Sequence, residues 1–234
     1  MSEPTLSISF FDPEQGLHGD ARRDATLLFE GSASRVLLEG AKMTPEGEGW
    51  RAELDGELSL ELRPVAEAAR LGGSTVHVCE VRGSVGSRKV RCLGTVSETK
   101  EAPDWAELEA VRALSALFDR DNAFLALARR PRGVPGHGAE LVAGWLLHEG
   151  LPLSVEDARI STVYDGEGRQ RSAGLELWLP GEDFPRRGSG TVVAGSSLQM
   201  DEIDVHAAVF RWRMEDREGA GAYQLWVRSE PEAA

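Results

Sequence analysis

The 234-residue chain has only two cysteines, Cys79 and Cys92, and no CxxC pair. It also lacks any run of about 20 apolar residues. These absences exclude a disulfide scaffold, a cysteine-based zinc site and a membrane-spanning helix. Positive charge is scarce as well. The 26 Lys and Arg face 39 Asp and Glu, a net charge of −13. General nucleic-acid binders and proteins of anionic membrane surfaces need a basic face, so neither partner is expected. The cluster Arg129, Arg130 and Arg132 reads as a solvated turn. No GxSxG elbow surrounds Ser84, Ser161 or Ser196, and no Walker loop is present. The glycine phrases sit in hairpin turns, which argues against a dinucleotide fold. The Met-Ser-Glu-Pro-Thr start has no basic and apolar leader, so a cytoplasmic location is expected.

What is present is globular composition, 41% hydrophobic and 28% charged. Apolar residues recur mostly at period two, the pattern of half-buried strands. The expected strands are 5–11, 26–31, 34–39, 49–54, 57–63, 74–83 and 88–97. A second set follows at 122–130, 139–149, 157–165, 170–179, 190–199, 204–214 and 222–228. Gly47-Glu48-Gly49, Asp55-Gly56, Asp165-Gly166-Glu167-Gly168 and Gly219-Ala220-Gly221 read as turns. The exception is 103–119. There Asp104 can cap a helix, and Trp105, Leu108, Val111, Leu114, Leu117 and Phe118 recur at three and four. The expected fold is therefore all-β, an antiparallel barrel or sandwich. Two β-rich halves, 1–102 and 120–234, would be joined by one amphipathic helix at 103–119.

Within 76–96, a four-residue turn Ser84-Val85-Gly86-Ser87 places Cys79 opposite Cys92, Val81 opposite Val90 and His77 opposite Gly94. Glu80 then meets Arg91 on the other face. The cysteines are expected as two buried free thiols in a reducing compartment. In the second half, His206, Ala208, Phe210, Trp212 and Met214 share one face, and Leu175, Leu177 and Leu179 another. A curling sheet would enclose such faces.

Several residues are candidates for chemistry. His137 and Glu140 stand three apart in Gly136-His137-Gly138-Ala139-Glu140, where glycines permit a tight turn and acid and base could meet. A buried Glu140 would suit a general acid; a solvated one would be a surface charge. His77 on the hairpin, and His206, Phe210 and Trp212 on one strand face, are candidate ligand contacts, with Trp178 beside them. Tryptophan faces can also stabilise a cation. Spacing supplies no metal site: His137 and Glu140 lack further ligands, and Asp201, Glu202 and Asp204 read as a solvated turn. No organic cofactor is expected.

The layout resembles the lipocalin-like superfamily that includes hydroxyneurosporene synthase, a carotenoid hydratase. The phrases that carry the resemblance are Cys79-Glu80-Val81-Arg82-Gly83-Ser84-Val85, Arg91-Cys92-Leu93-Gly94, Gly136-His137-Gly138-Ala139-Glu140 and Tyr164-Asp165-Gly166-Glu167-Gly168. It carries no catalytic residue over. It implies an enclosed apolar cavity for isoprenoid or other lipid-like molecules, and an acid that protonates a double bond. The function expected is binding of a hydrophobic small molecule in a β-barrel pocket, with hydration or cyclisation as the reaction. Glu140 and His137 are then the catalytic candidates, and a homodimer is an admissible assembly. The alternative is a non-catalytic β-sandwich that binds a ligand or a protein. A carbohydrate-active sandwich, with Glu176 and Trp178 on one face, ranks last for want of a second carboxylate.

Overall fold

A computed structural model describes residues 4–134 and 136–229. The first half contributes β1 (Thr5–Asp12), β2 (Leu17–Ala21), β3 (Thr26–Glu30), β4 (Ala33–Leu37), β5 (Lys42–Glu46), β6 (Gly49–Leu54), β7 (Leu58–Pro64), β8 (Ala69–Leu71), β9 (Ser74–Val85) and β10 (Arg88–Thr99). The second contributes β11 (Leu108–Leu117), β12 (Ala123–Pro131), β13 (Leu141–His148), β14 (Leu151–Leu153), β15 (Asp157–Tyr164), β16 (Gln170–Trp178), β17 (Arg186–Met200), β18 (Ile203–Met214) and β19 (Arg217–Arg228).

Each half is one antiparallel sheet built on the same plan. The first runs β4-β3-β2-β1-β10-β9-β7-β6-β5, with β8 also on β9; the second runs β14-β13-β12-β11-β19-β18-β17-β16-β15. In both, the first strand pairs with the last, so each meander curls back on itself into a half-barrel. Period two follows from this shape, because alternate residues enter the curl. Ile8, Phe10, Leu60, Leu62, Val81 and Val96 fill the first interior. Phe124, Leu175, Leu177, Phe210, Trp212 and Tyr223 fill the second. A third apolar layer, including Phe11, Leu27, Phe29, Leu125, Leu147 and Val209, packs the outer face of one half-barrel on that of the other.

The helix expected at 103–119 is absent. Asp104 does cap a turn, accepting from the Ala106 amide at 2.9 Å, but the chain then extends into β11. Ala110, Leu114 and Ala116 enter the second interior, while Leu117 joins the layer between the halves. A strand buried on both faces has no polar stripe, and such density imitates helical spacing. Among the described residues the only helical piece is a single 3-10 turn, His137–Ala139.

The β9–β10 hairpin also differs from expectation, by two residues. The turn is Gly86-Ser87, with Gly86 at φ 53°, and Val85 pairs with Arg88. Cys79 therefore faces Gly94, Val81 faces Cys92, His77 faces Val96, and Glu80 faces Leu93. A shift of two keeps every side chain on its expected face, so the buried face holds although the partners change. Both cysteines are free. Burial pushes each thiol up to about 12. Gly219-Ala220-Gly221 is no turn but part of β19. A Cβ on Gly221 would lie 1.8 Å from the Ser115 carbonyl oxygen, so glycine there lets β19 approach β11.

Candidate functional site

The pocket candidates of the second half are core. Phe210 and Trp212 are 0% exposed, stacked 5.4 Å apart, and Phe124 meets Trp212 edge-on at 5.1 Å. They fill the interior that a barrel ligand would need, a correction to the expected pocket. Trp178 is half-buried under the Arg159 guanidinium, 5.9 Å from its ring centroid. His206 bonds the Ser197 hydroxyl at 2.7 Å. His77 packs on Trp50 at 4.7 Å in the other half, and burial lowers its pKa against the opposing pull of Glu98. The five residues form no common site.

Glu140 and His137 do come together. The 3-10 turn folds the segment back so that His137 Nδ1 lies 2.7 Å from Glu140 Oε1. His137 Nε2 meets the Tyr164 hydroxyl at 3.0 Å, with the two rings stacked. The other Glu140 oxygen accepts from Arg112, whose guanidinium also donates to Thr162 at 2.9 Å and Tyr223 at 3.2 Å. The Arg112 and Glu140 side chains are each 1% exposed. Burial works against the Arg112 charge, but Tyr223 and Glu140 outweigh it and its pKa is raised. Burial likewise raises the Tyr223 pKa, against the pull of Arg112. Arg112, Tyr223 and Thr162 went unrecognised in the sequence because an arginine inside an apolar run carries no spacing signal.

A large cavity lies elsewhere. A cleft of about 690 Å³ opens between the two half-barrels, off the layer where their outer faces pack. Its apolar wall comes from the second half, with Val111, Ala113, Leu127, Val205, Ala222 and Trp226. The second half also adds Ser115, Arg129, Gln224 and Arg228, and most of the polar lining comes from the first half, beside Leu6, Leu71 and Val76. There β2, too short and glycine-interrupted to be expected from the sequence, holds Asp20. The Asp20 side chain is 8% exposed and lines the cleft. Arg22 Nε donates to one of its oxygens at 2.7 Å; the Ser9 hydroxyl donates to the other at 2.9 Å, and so does the Gln224 amide. Gln224 belongs to β19, so the two halves build this cluster jointly. The Arg22 guanidinium rests over the Trp226 ring, 5.1 Å from its centroid.

Arg129, expected in a solvated turn, instead sits in β12 on the cleft and donates to the Gly72 carbonyl. Asp201 and Glu202 form the exposed β17–β18 turn at the cleft rim. Among the described residues no group of three His, Cys, Asp or Glu could hold a metal ion. Nor is any helix among them long and apolar enough to cross a membrane.

No protein-family model and no curated protein sequence matches the chain. Solved structures do. A Nitrosomonas europaea protein given the provisional name AttH aligns over 95% of this chain and 92% of its own, with TM-score 0.60 and 12% identity. CghA, solved with Sch210972, aligns over 97% and 89%, with TM-score 0.57 and 11% identity. Kievitone hydratase from Nectria haematococca aligns over 97% and 89%, with TM-score 0.58 and 9% identity. At such identities the likeness is one of fold. The chain has the lipocalin-like architecture of two curled antiparallel sheets that these proteins share.

Proposed function

We propose that the cleft between the half-barrels binds a small molecule with a large apolar surface and adds water across one of its double bonds. The observation that carries this reading is Asp20, a buried carboxylate on the wall of a 690 Å³ cleft, held by residues of both halves. Pockets of this size, mostly apolar with a few converging polar groups, are where ligands bind. One fold neighbour is a hydratase by name and another was solved with a small molecule, which agrees with the reading.

The chemistry suits a carbon–carbon double bond conjugated to a carbonyl. Arg22, braced by Asp20 and Trp226, holds the carbonyl oxygen. Asp20 takes a proton from water as its oxygen bonds to the β-carbon. The π electrons move onto the carbonyl oxygen, where the guanidinium stabilises the charge. The proton on Asp20 then passes to the α-carbon, restoring both carboxylate and carbonyl, with net addition of one water. A substrate hydroxyl in place of water gives ring closure by the same steps. As part of this reading the protein works in the cytoplasm without an organic cofactor.

The test uses native mass spectra of protein from its own host, followed by turnover of retained or related enones in ¹⁸O-labelled water. The wild-type protein should carry a small molecule lost on denaturation and should incorporate label. Asp20→Asn should retain the molecule and lose about 10²–10⁴-fold in rate. Binding without label incorporation by the wild-type protein would leave a ligand-binding module.

The Glu140–His137–Tyr164 chain supports a second reading, with Glu140 orienting His137 as acid and base at the end of the second half-barrel. Its test is His137→Gln, which should abolish turnover under this reading and leave it intact if Asp20 does the chemistry.

A further inference from the structure

The polar wall of the cleft is a ladder of hydroxyls. On β1 and β10, Thr5 pairs with Thr99, Ser7 with Ser97 and Ser9 with Thr95. All six line the cleft. Their strand neighbours Ile8 and Val96 turn the other way, into the first interior, while Leu6 at the strand end also reaches the cleft. Ser74 extends the ladder, its hydroxyl 2.9 Å from that of Thr99. Cross-strand partners stand about 5 Å apart and alternate residues along a strand about 7 Å apart. The result is a grid of hydroxyl groups, two columns by three rows, on the outer face of the curled sheet. It faces the aliphatic and aromatic wall of Val111, Ala113, Leu127, Val205 and Trp226 across the cavity.

From this two-faced cavity we infer the substrate class: a rigid fused-ring molecule bearing several oxygen substituents along one face, and not a plain isoprenoid hydrocarbon. The inference rests on the cleft reading above. Ser9 is already bonded to Asp20 and Thr99 to Ser74, so a hydrocarbon would strip water from the hydroxyls of Thr5, Ser7, Thr95 and Ser97 and return no hydrogen bond, which costs affinity for each one left unpaired. A ring system with oxygens on one face satisfies the grid and still buries its bare face on the apolar wall. Hydroxyls both donate and accept, so the grid takes carbonyl and hydroxyl substituents alike. Asp20 and Arg22 adjoin Ser9 at one end of the ladder, which places the reacting bond at that end of the molecule.

Calorimetric titration with two probes tests this. 5β-Cholanic acid and cholic acid share one tetracyclic skeleton, and the second carries three more hydroxyls, all on one face. The wild-type protein should bind cholic acid at least about tenfold more tightly, because a site built to bond hydroxyls rejects the analogue that lacks them. The variant S7A/T95V/S97A keeps side-chain size and should lose or reverse that preference. Ala113→Trp, which fills the cleft from the apolar side, should bind neither. Melting temperatures of both variants check their folding. Equal binding of the two probes by the wild-type protein, binding of neither, or a preference that survives the triple variant would overturn the inference. Where the wild-type protein binds the probes and Ala113→Trp blocks that binding, the cleft reading stands and only the substrate class falls. If Ala113→Trp binds as the wild-type protein does, the cleft reading itself falls.

Discussion

The two half-barrels share a strand order and place their polar groups on opposite sides. The first has an apolar interior and turns Ser7, Ser9, Ser97, Asp20 and Arg22 outward to the cleft. The second turns Val111, Ala113 and Trp226 to the cleft and keeps an ion pair, Arg112–Glu140, inside. The same plan thus supports an external and an internal polar network. An internal network is tolerated only when nearly all of it is paired, and here both terminal nitrogens of Arg112 are bonded while its Nε is not. An external one on a cavity wall can leave hydroxyls free to meet a ligand.

The comparison is broken most severely at Arg112. Arg112→Ala leaves Glu140 buried with its guanidinium partner gone, and urea unfolding should show a loss of about 3–5 kcal/mol. Replacing both, as Arg112→Met with Glu140→Leu, should restore most of it, because the pair is matched to its own burial rather than essential to the fold.

The outer face of the first half offers a test in pH. His18 on β2 is 3% exposed, and burial lowers its pKa to about 4, with Asp12 opposing. The unfolded chain binds this proton near pH 6.5 and the folded one only near 4. The associated stability is complete above about pH 6.5 and is lost as the pH falls towards 4. The loss amounts to ~3 kcal/mol. Urea unfolding between pH 4 and pH 7.5 should show this slope in the wild-type protein, and His18→Phe should remove that component.

The smallest effects separate the two cleft walls. Ser115 of β11 accepts a hydrogen bond from the Ala222 amide at 3.0 Å, so Ser115→Ala should cost about 1 kcal/mol. Ser7→Ala, whose hydroxyl faces the cleft, should change stability by less than about 0.5 kcal/mol. Equal losses at both would mean that the hydroxyl ladder is structural.

The strands were legible wherever one face met the core and the other met water. Arg211 and Arg213, both exposed, alternate with buried Phe210, Trp212 and Met214 in this way. Legibility failed where alternation failed. β11 is buried on both faces and imitates a helix. β2, with Gly19 at its centre, offers no alternation because all five of its residues are buried. The β9–β10 turn was placed two residues off because period two fixes faces and leaves partners open. For the site, His137 and Glu140 were visible as neighbours in sequence, and the structure joins them. Asp20 and Gln224 are 204 residues apart and meet only when the halves pack.

By itself, then, the sequence determined an antiparallel β protein in two halves, with free thiols, Cys79 buried and Cys92 half-buried, and the faces of the β9–β10 hairpin. These follow from local alternation and turn chemistry, which each segment carries alone. The tertiary structure decided that Phe210 and Trp212 are packing, that Arg112 completes the Glu140 pair, and that the cavity lies between the half-barrels. Those outcomes depend on which outer faces meet. Contacts between distant segments are set by the packing of whole sheets, and no local pattern encodes them.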